Sequence, residues 1–167
     1  MTTPAASSII LVPGSVIWNP TDLNAAEPYG GTYLGTVRGI KFEPGVKYRD
    51  IWAEEYGTVV DSIFVGQGPC DLSFVVRHFD TDVMSITDPL VRAGTSLWAA
   101  AGKLLFAPKA AAAHPAVILY NAIPRFEEDM ELRFALSEEF GLMVRFRGTP
   151  DATGRIYKID LKANISL

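Results

Sequence analysis

The chain has 167 residues, 49% of them apolar and 20% charged, and carries 15 basic and 19 acidic side chains for a net charge of −4. That length and composition suit one globular domain, 1–167, able to bury roughly 70% of the surface its unfolded form exposes, and exclude a disordered chain. The mild acidity excludes a protein that grips nucleic acid through a basic stripe, but not one that lets nucleic acid pass.

The opening MTTPAASSIILVPG has no basic segment, and its apolar run Ile9–Val12 is too short for a signal peptide. Ser7–Val12 and Ser15–Trp18 flank the turn dipeptide Pro13-Gly14 and are predicted to form an N-terminal hairpin. With the polar, Pro/Gly-punctuated stretch Asn19–Gly31, they make residues 1–31 an arm and loop. Thr32–Arg38 and Ile40–Glu43 read as short strands, and Pro44-Gly45 breaks the chain again. Next comes a long hairpin excursion over residues 46–57. In Lys47–Tyr56, Tyr48, Ile51, Trp52 and Tyr56 are interleaved with Arg49, Asp50, Glu54 and Glu55.

Thr58–Val65 is β-branched and apolar enough for a strand. Asp71–Phe79 alternates, with Leu72, Phe74 and Val76 on one face and Ser73, Val75 and Arg77 on the other. These two strands are expected to pair. Asp80 or Thr81 is a good N-cap for a short helix through Thr87, stopped by Pro89. Gly94–Ala101 holds a further helical turn. The most apolar region, Leu97–Pro124, is interrupted by Lys103, Pro108, Lys109, His114 and Pro115, so it offers no membrane-spanning helix. Lys103–Ala107, Ala116–Ala122, Met130–Leu136, Leu142–Arg147 and Arg155–Leu161 read as strands. Leu142, Val144 and Phe146 lie opposite Met143, Arg145 and Arg147. Many short strands, one short helix and Gly/Pro turns predict a mainly β fold, a two-sheet β-sandwich or barrel flanked by that helix.

Little in this sequence carries chemistry. His78-x-Asp80-x-Asp82 has strand-like ligand spacing, but a helix starting at Asp80 or Thr81 breaks the alternation and makes these residues a cap and an acidic first turn. His114 sits before Pro115 with no partner nearby for base catalysis. Cys70, the only cysteine, allows no intrachain disulfide and fits a reducing compartment. It has no neighbouring cation or helix N-terminus in sequence to activate it. Glu127-Glu128-Asp129 and Ser137-Glu138-Glu139 read as solvated turns between strands. Gly30-Gly31 and Gly66-x-Gly68 lack the strand-then-helix setting of a phosphate cradle. No enzyme, cofactor or metal centre is expected. Tyr, Trp and Arg, by contrast, are the residue types that anchor protein interfaces. That makes Lys47, Tyr48, Arg49, Asp50, Ile51, Trp52, Glu54, Glu55 and Tyr56 the candidate site.

The order GTYLGTVRGIKFEP, long loop, then GTVVDSIFVGQGPCDLSFVVRHFDTDVMSITDP resembles tail tube proteins of long-tailed bacteriophages. The D-x-I-x-x-G strand is here Asp61 to Gly66. KLLFAPKAAAAHPAVILYNAIP and MELRFALSEEFGLMVRFRG are similar too, so the resemblance covers most of residues 30–167. It implies a fold shared with the type VI secretion tube. Subunits would form hexameric rings whose strands join into one inner barrel, wall strands here being Thr58–Phe79. Rings would stack through the 46–57 loop. The expected place is the virion tail, with host cytoplasm during assembly. The partners are copies of itself and other tail proteins (terminator, baseplate, sheath or tape measure), with DNA in transient passage and no membrane. An acidic or neutral lining keeps DNA sliding. Asp71, Glu131 and Asp160 are candidate lumen carboxylates because they alternate with apolar neighbours on predicted strands. A tail terminator, neck or baseplate-hub ring of the same fold is the nearest alternative, and a β-barrel binding a small apolar ligand is a more distant one.

Overall fold

The structure is a computed structural model that describes residues 13–37, 40–53, 58–77, 79–87, 94, 96–110, 114–125 and 141–167. It contains β1 (Gly14–Trp18), β2 (Thr32–Val37), β3 (Ile40–Glu43), β4 (Val46–Ala53), β5 (Thr58–Gln67), β6 (Cys70–Val76), α1 (Thr81–Thr87), β7 (Gly102–Pro108), β8 (Ala116–Arg125), β9 (Leu142–Gly148) and β10 (Tyr157–Asp160). Eight strands form one antiparallel sheet in the order β2-β1-β7-β8-β9-β6-β3, with β10 also on β8, and β4 and β5 form a separate two-stranded sheet. The chain is thus mainly β with a short helix and a long hairpin, as its patterning predicts. The sheet path does not close into a barrel.

The connectivity forces this sheet to curl. Laid flat, β2 and β3 would sit about 29 Å apart across seven strands. Yet only residues 38 and 39 separate Val37 from Ile40, a span of at most about 11 Å. The sheet therefore rolls up, and β2 comes to lie beside β6. Val16, Leu34, Leu72, Phe74, Leu104, Leu119, Val144 and Phe146 fill the interior of the roll. Trp18 of β1 meets Phe146 of β9 across it, ring centroids 5.5 Å apart, and Phe74 stacks on Phe146 at 5.8 Å.

Burial follows the sequence pattern. On β6, Leu72, Phe74 and Val76 face the core while Ser73 and Val75 are half-buried; on β9, Leu142, Val144 and Phe146 are buried and Met143 is exposed. The runs Leu104–Ala107 and Ala116–Tyr120 show no such alternation because β7 and β8 are covered on both sides. A second cluster on their outer face joins Ile17, Leu105, Ile118 and Tyr120 to Leu23 and Tyr29 of the 19–31 loop and to Ile165 near the C-terminus. Lys162 pins this cover, donating from Nζ to the Leu23 carbonyl at 3.1 Å and lying 4.4 Å over the Tyr29 ring.

β9 and β10 form one interrupted strand along the same edge of β8. Gly148 to Arg145 pair with Ala122 to Arg125, and Tyr157 to Asp160 pair with Leu119 to Ala116. Between them the chain loops out, held by Asp151, which accepts from the Thr153 and Arg155 backbone N–H groups at 2.9 and 2.8 Å and from Arg155 Nε at 2.9 Å.

Asp80 caps α1, its Oδ1 accepting from Val83 N at 2.8 Å. The helix turns Val83 and Thr87 into the core, and Thr87 Oγ1 donates to the Val83 carbonyl at 2.8 Å. The predicted turn near Gly94–Ala101 is a 3-10 turn over Leu97–Ala100, capped by Ser96. One expectation changes. β5 pairs with β4 and not with β6, which lies instead between β3 and β9. A β-bulge at each of two points leaves β5 long enough to zip along the whole of β4. β1 pairs with β2 and β7, and the Ser7–Val12 half of the predicted N-terminal hairpin lies outside the described residues, as does Met130–Leu136.

Candidate assembly surface

The β4–β5 hairpin is an arm whose strands, among the described residues, pair only with each other, and it leaves the main sheet at Gly45 and Gly68. These two glycines make its base. Gly68 N donates to the Gly45 carbonyl at 2.6 Å. Gly45 has φ +63, and a Cβ there would stand 2.1 Å from the Pro69 carbonyl oxygen, so only glycine fits both the turn and the close approach. Gly45→Ala is expected to destabilise the fold by about 1–2 kcal/mol from the left-handed backbone alone, before the clash is relieved. Chemical denaturation measures this, and an unchanged midpoint would mean the arm base can shift freely.

Along β4 the pleat places Val46, Tyr48, Asp50 and Trp52 on one face and Lys47, Arg49 and Ile51 on the other. Ser62 Oγ donates to Asp50 Oδ1 at 2.5 Å, tying the two strands on the first face. Tyr48 is 66% exposed, Trp52 64% and Ile51 39%. Tyr48 and Trp52 therefore stay outside the domain core. Lys47, Arg49 and Asp50 are exposed too. Glu54, Glu55 and Tyr56 lie outside the described residues.

Where the arm leaves the body, an open groove of ≈ 540 Å³ separates it from β10, lined by Val46, Tyr48, Gly154, Ile156, Tyr157, Lys158 and Ile159. Ile159, on the groove wall, is 48% exposed. Sequence reasoning missed this groove. The alternation Tyr157, Ile159, Leu161 was visible, but which surface that apolar row would border depends on where β10 docks.

The candidate lumen carboxylates fare differently. Asp71 is 7% exposed, with its two oxygens held at 2.9 Å by Arg147 Nε and Nη2. The hydrogen bonds from Arg147 lower its pKa against the opposing effect of burial. It forms an ion pair with Arg147 across β6 and β9. Asp160 accepts from Asn164 Nδ2 and the Leu161 N–H, lies 3.3 Å from Lys158 Nζ, and has its pKa lowered, first by the Asn164 contact. Glu131 lies outside the described residues, as do His78 and the two acidic turns at 127–129 and 137–139. Among the described residues no group of three metal-type ligands forms. Cys70 is fully buried, and burial pushes its thiol up to about 11, far from a reactive thiolate.

No protein-family model and no curated protein matches this chain. Solved structures do. The anti-feeding prophage cap, described as a tube-terminating cap, superposes with a TM-score of 0.54 at 8% identity, covering 96% of this chain and 93% of that one. A chain of the PVC sheath–tube complex of an extracellular contractile injection system, in the extended state, gives 0.54 at 6% identity, covering 96% and 99%. The fold is one that contractile injection systems use. Both matches cover nearly the whole of each chain. At this identity the likeness fixes the architecture and carries no residue-level correspondence.

Proposed function

We propose that this chain is a non-enzymatic structural subunit of a tail-like tube, assembling with copies of itself as a hexameric ring. The carrying observation is the projecting arm, with Tyr48 and Trp52 about two-thirds exposed. A two-stranded ribbon alone is marginal in water, and one displaying large aromatic rings gains stability by burying them against a partner. At about 25 cal/mol per Å², covering both rings contributes roughly 5 kcal/mol gross per subunit, before the entropic cost of association. A ring engages all its arms at once, so modest contacts multiply. Rings stacked through these arms make a hollow conduit. DNA as its cargo rests on the phage resemblance and on a net charge of −4, which gives polyanions no overall attraction.

A tube-terminating ring is the second reading, favoured by the similarity to the anti-feeding prophage cap. Negative-stain microscopy separates the two. Uniform tubes support the tube subunit, and single rings that do not lengthen support the terminator. Tyr48→Ala with Trp52→Ala is expected to leave the thermal unfolding midpoint within a degree or two of wild type, because both side chains are exposed. The same variant is expected to abolish multi-ring particles. Unaltered particle lengths would remove the arm from the interface.

A further inference from the structure

We propose that the arm is hinged, rocking as one body about the facing dipeptides Pro44-Gly45 and Gly68-Pro69, and that a neighbouring copy sets its angle on assembly. The second half rests on the assembly role proposed above; the first rests on the backbone alone. β3 runs into β4 and β5 runs into β6, so arm and body are the same two chain segments, interrupted at one level on both. On the body side of the break Glu43 pairs with Asp71, and on the arm side Val46 pairs with Gln67. Pro44 and Gly45 therefore face three residues, Gly68, Pro69 and Cys70, and the register does not carry through. Neither proline has an N–H to give to a ladder, and neither glycine has a side chain to restrict its backbone. The Gly68 N–H donates to the Gly45 carbonyl, and Gly45 lies close against the Pro69 carbonyl. These contacts fix where the pivot lies and leave the angle of the arm unset.

Beyond the break the ribbon is stiffer than its attachment. Its ladder runs from Val46 and Gln67 out to Ala53 and Thr58, and among the described residues neither strand pairs with any other. There is also room to move. The groove between the arm base and β10, with Tyr48 on one wall and Ile159 on the other, narrows or widens as the arm leans. Asp61 pairs with Ile51, six residues beyond Gly45. That is roughly 20 Å of extended chain, so a rock of about 20° displaces Asp61 by about 7 Å. Hinge motions of this kind are carried by a few residues at the ends of elements, on microsecond to millisecond timescales. An arm free to rock loses that freedom when a partner seats it, which weakens any single arm contact and favours assemblies that hold many arms at once.

The test uses the full chain, isolated as monomer and spin-labelled at Asp61→Cys and Ala163→Cys, with Thr36→Cys and Ala163→Cys as a pair within the body. All three sites are exposed, and Cys70 is fully buried and takes no label. Pulsed electron paramagnetic resonance on frozen samples reads the distance distributions. The arm-to-body distribution is expected to be about twice as wide as that of the body pair, since freezing traps the range of hinge angles. Gly68→Ala restricts the backbone at the hinge, and Pro69→Ala returns an N–H to the break; each is expected to narrow the distribution. A Cβ at Gly68 stands 3.1 Å from the Gly45 carbonyl oxygen, so circular dichroism checks that fold, and Pro69→Ala decides the matter if Gly68→Ala does not fold. An arm distribution as narrow as the body pair's, or one that no folded variant narrows, overturns the hinge and leaves the assembly role standing. When labelled chain is diluted into assembling unlabelled chain, the arm distribution is expected to fall to the width of the body pair. Assemblies whose arms stay broad overturn the seating by a neighbour. A chain that never assembles overturns the assembly role and that seating with it, while the monomer measurement still decides the hinge.

Discussion

Phe146→Ala is expected to destabilise the fold by about 4 kcal/mol, near the upper range for removing a buried aromatic ring. Phe146 is fully buried at the centre of the rolled sheet. It stacks on Phe74 of β6 with the ring planes 2° apart and meets Trp18 of β1 from the opposite wall. The neighbouring strands β6 and β9 and, three places away along the sheet, β1 thus depend on one ring. The curl that brings β2 beside β6 wraps around it, so the cavity cannot be refilled by moving a single side chain. Urea unfolding followed by tryptophan fluorescence reads both effects, since Trp18 is itself a reporter. A loss under about 1 kcal/mol would mean the interior collapses around the gap, and the rigid roll described above would be wrong.

Asp71→Ala is expected to reduce stability by about 3 kcal/mol, because it strands the Arg147 guanidinium beside a half-buried strand face. The low end of the range applies, since the Arg147 side chain keeps 31% of its exposure. The pH dependence has a definite sign. The Asp71 pKa is lower in the folded chain than the value near 3.9 of an unfolded one. Its contribution is therefore complete above the unfolded pKa and is lost as pH falls through the folded pKa. Asp71→Asn imitates the protonated state. The stability gap between wild type and Asp71→Asn should be widest near neutrality and should close under acid, measured by urea midpoints at stepped pH. A gap that stays constant into acid would show that the ion pair contributes nothing through its charge.

The legible and illegible parts of the sequence divide along one physical line. Alternation on β6 and β9 gave the correct inward residues because each strand buries a single face. The helix at Thr81–Thr87 was legible because Asp80 is a chemical start signal. On β7 and β8, unbroken apolar runs marked strands but not what covers them. That cover comes from Leu23, Tyr29 and Ile165, far apart in the chain. The partner of β5 was misjudged for the same reason. Chain order favours β6, whereas the pairing follows the tight Gly45–Gly68 base that folds β5 back on β4. Alternation showed which way Asp71 points, but not that Arg147 on the next strand pairs with it. The arm residues were legible by type as a candidate interface, and of them Tyr48, Ile51 and Trp52 are exposed. The groove beside them depends on the docking of β10 and had no local signature.

Particle length is the most direct test of the account. Purified wild-type chain and the Tyr48→Ala, Trp52→Ala variant should be imaged side by side by negative stain across a concentration series. The expected result is rings of uniform diameter for both, with stacks or tubes in the wild type alone. A wild-type chain that remains monomeric at every concentration, or a variant that stacks as well as wild type, would contradict assembly through the arm.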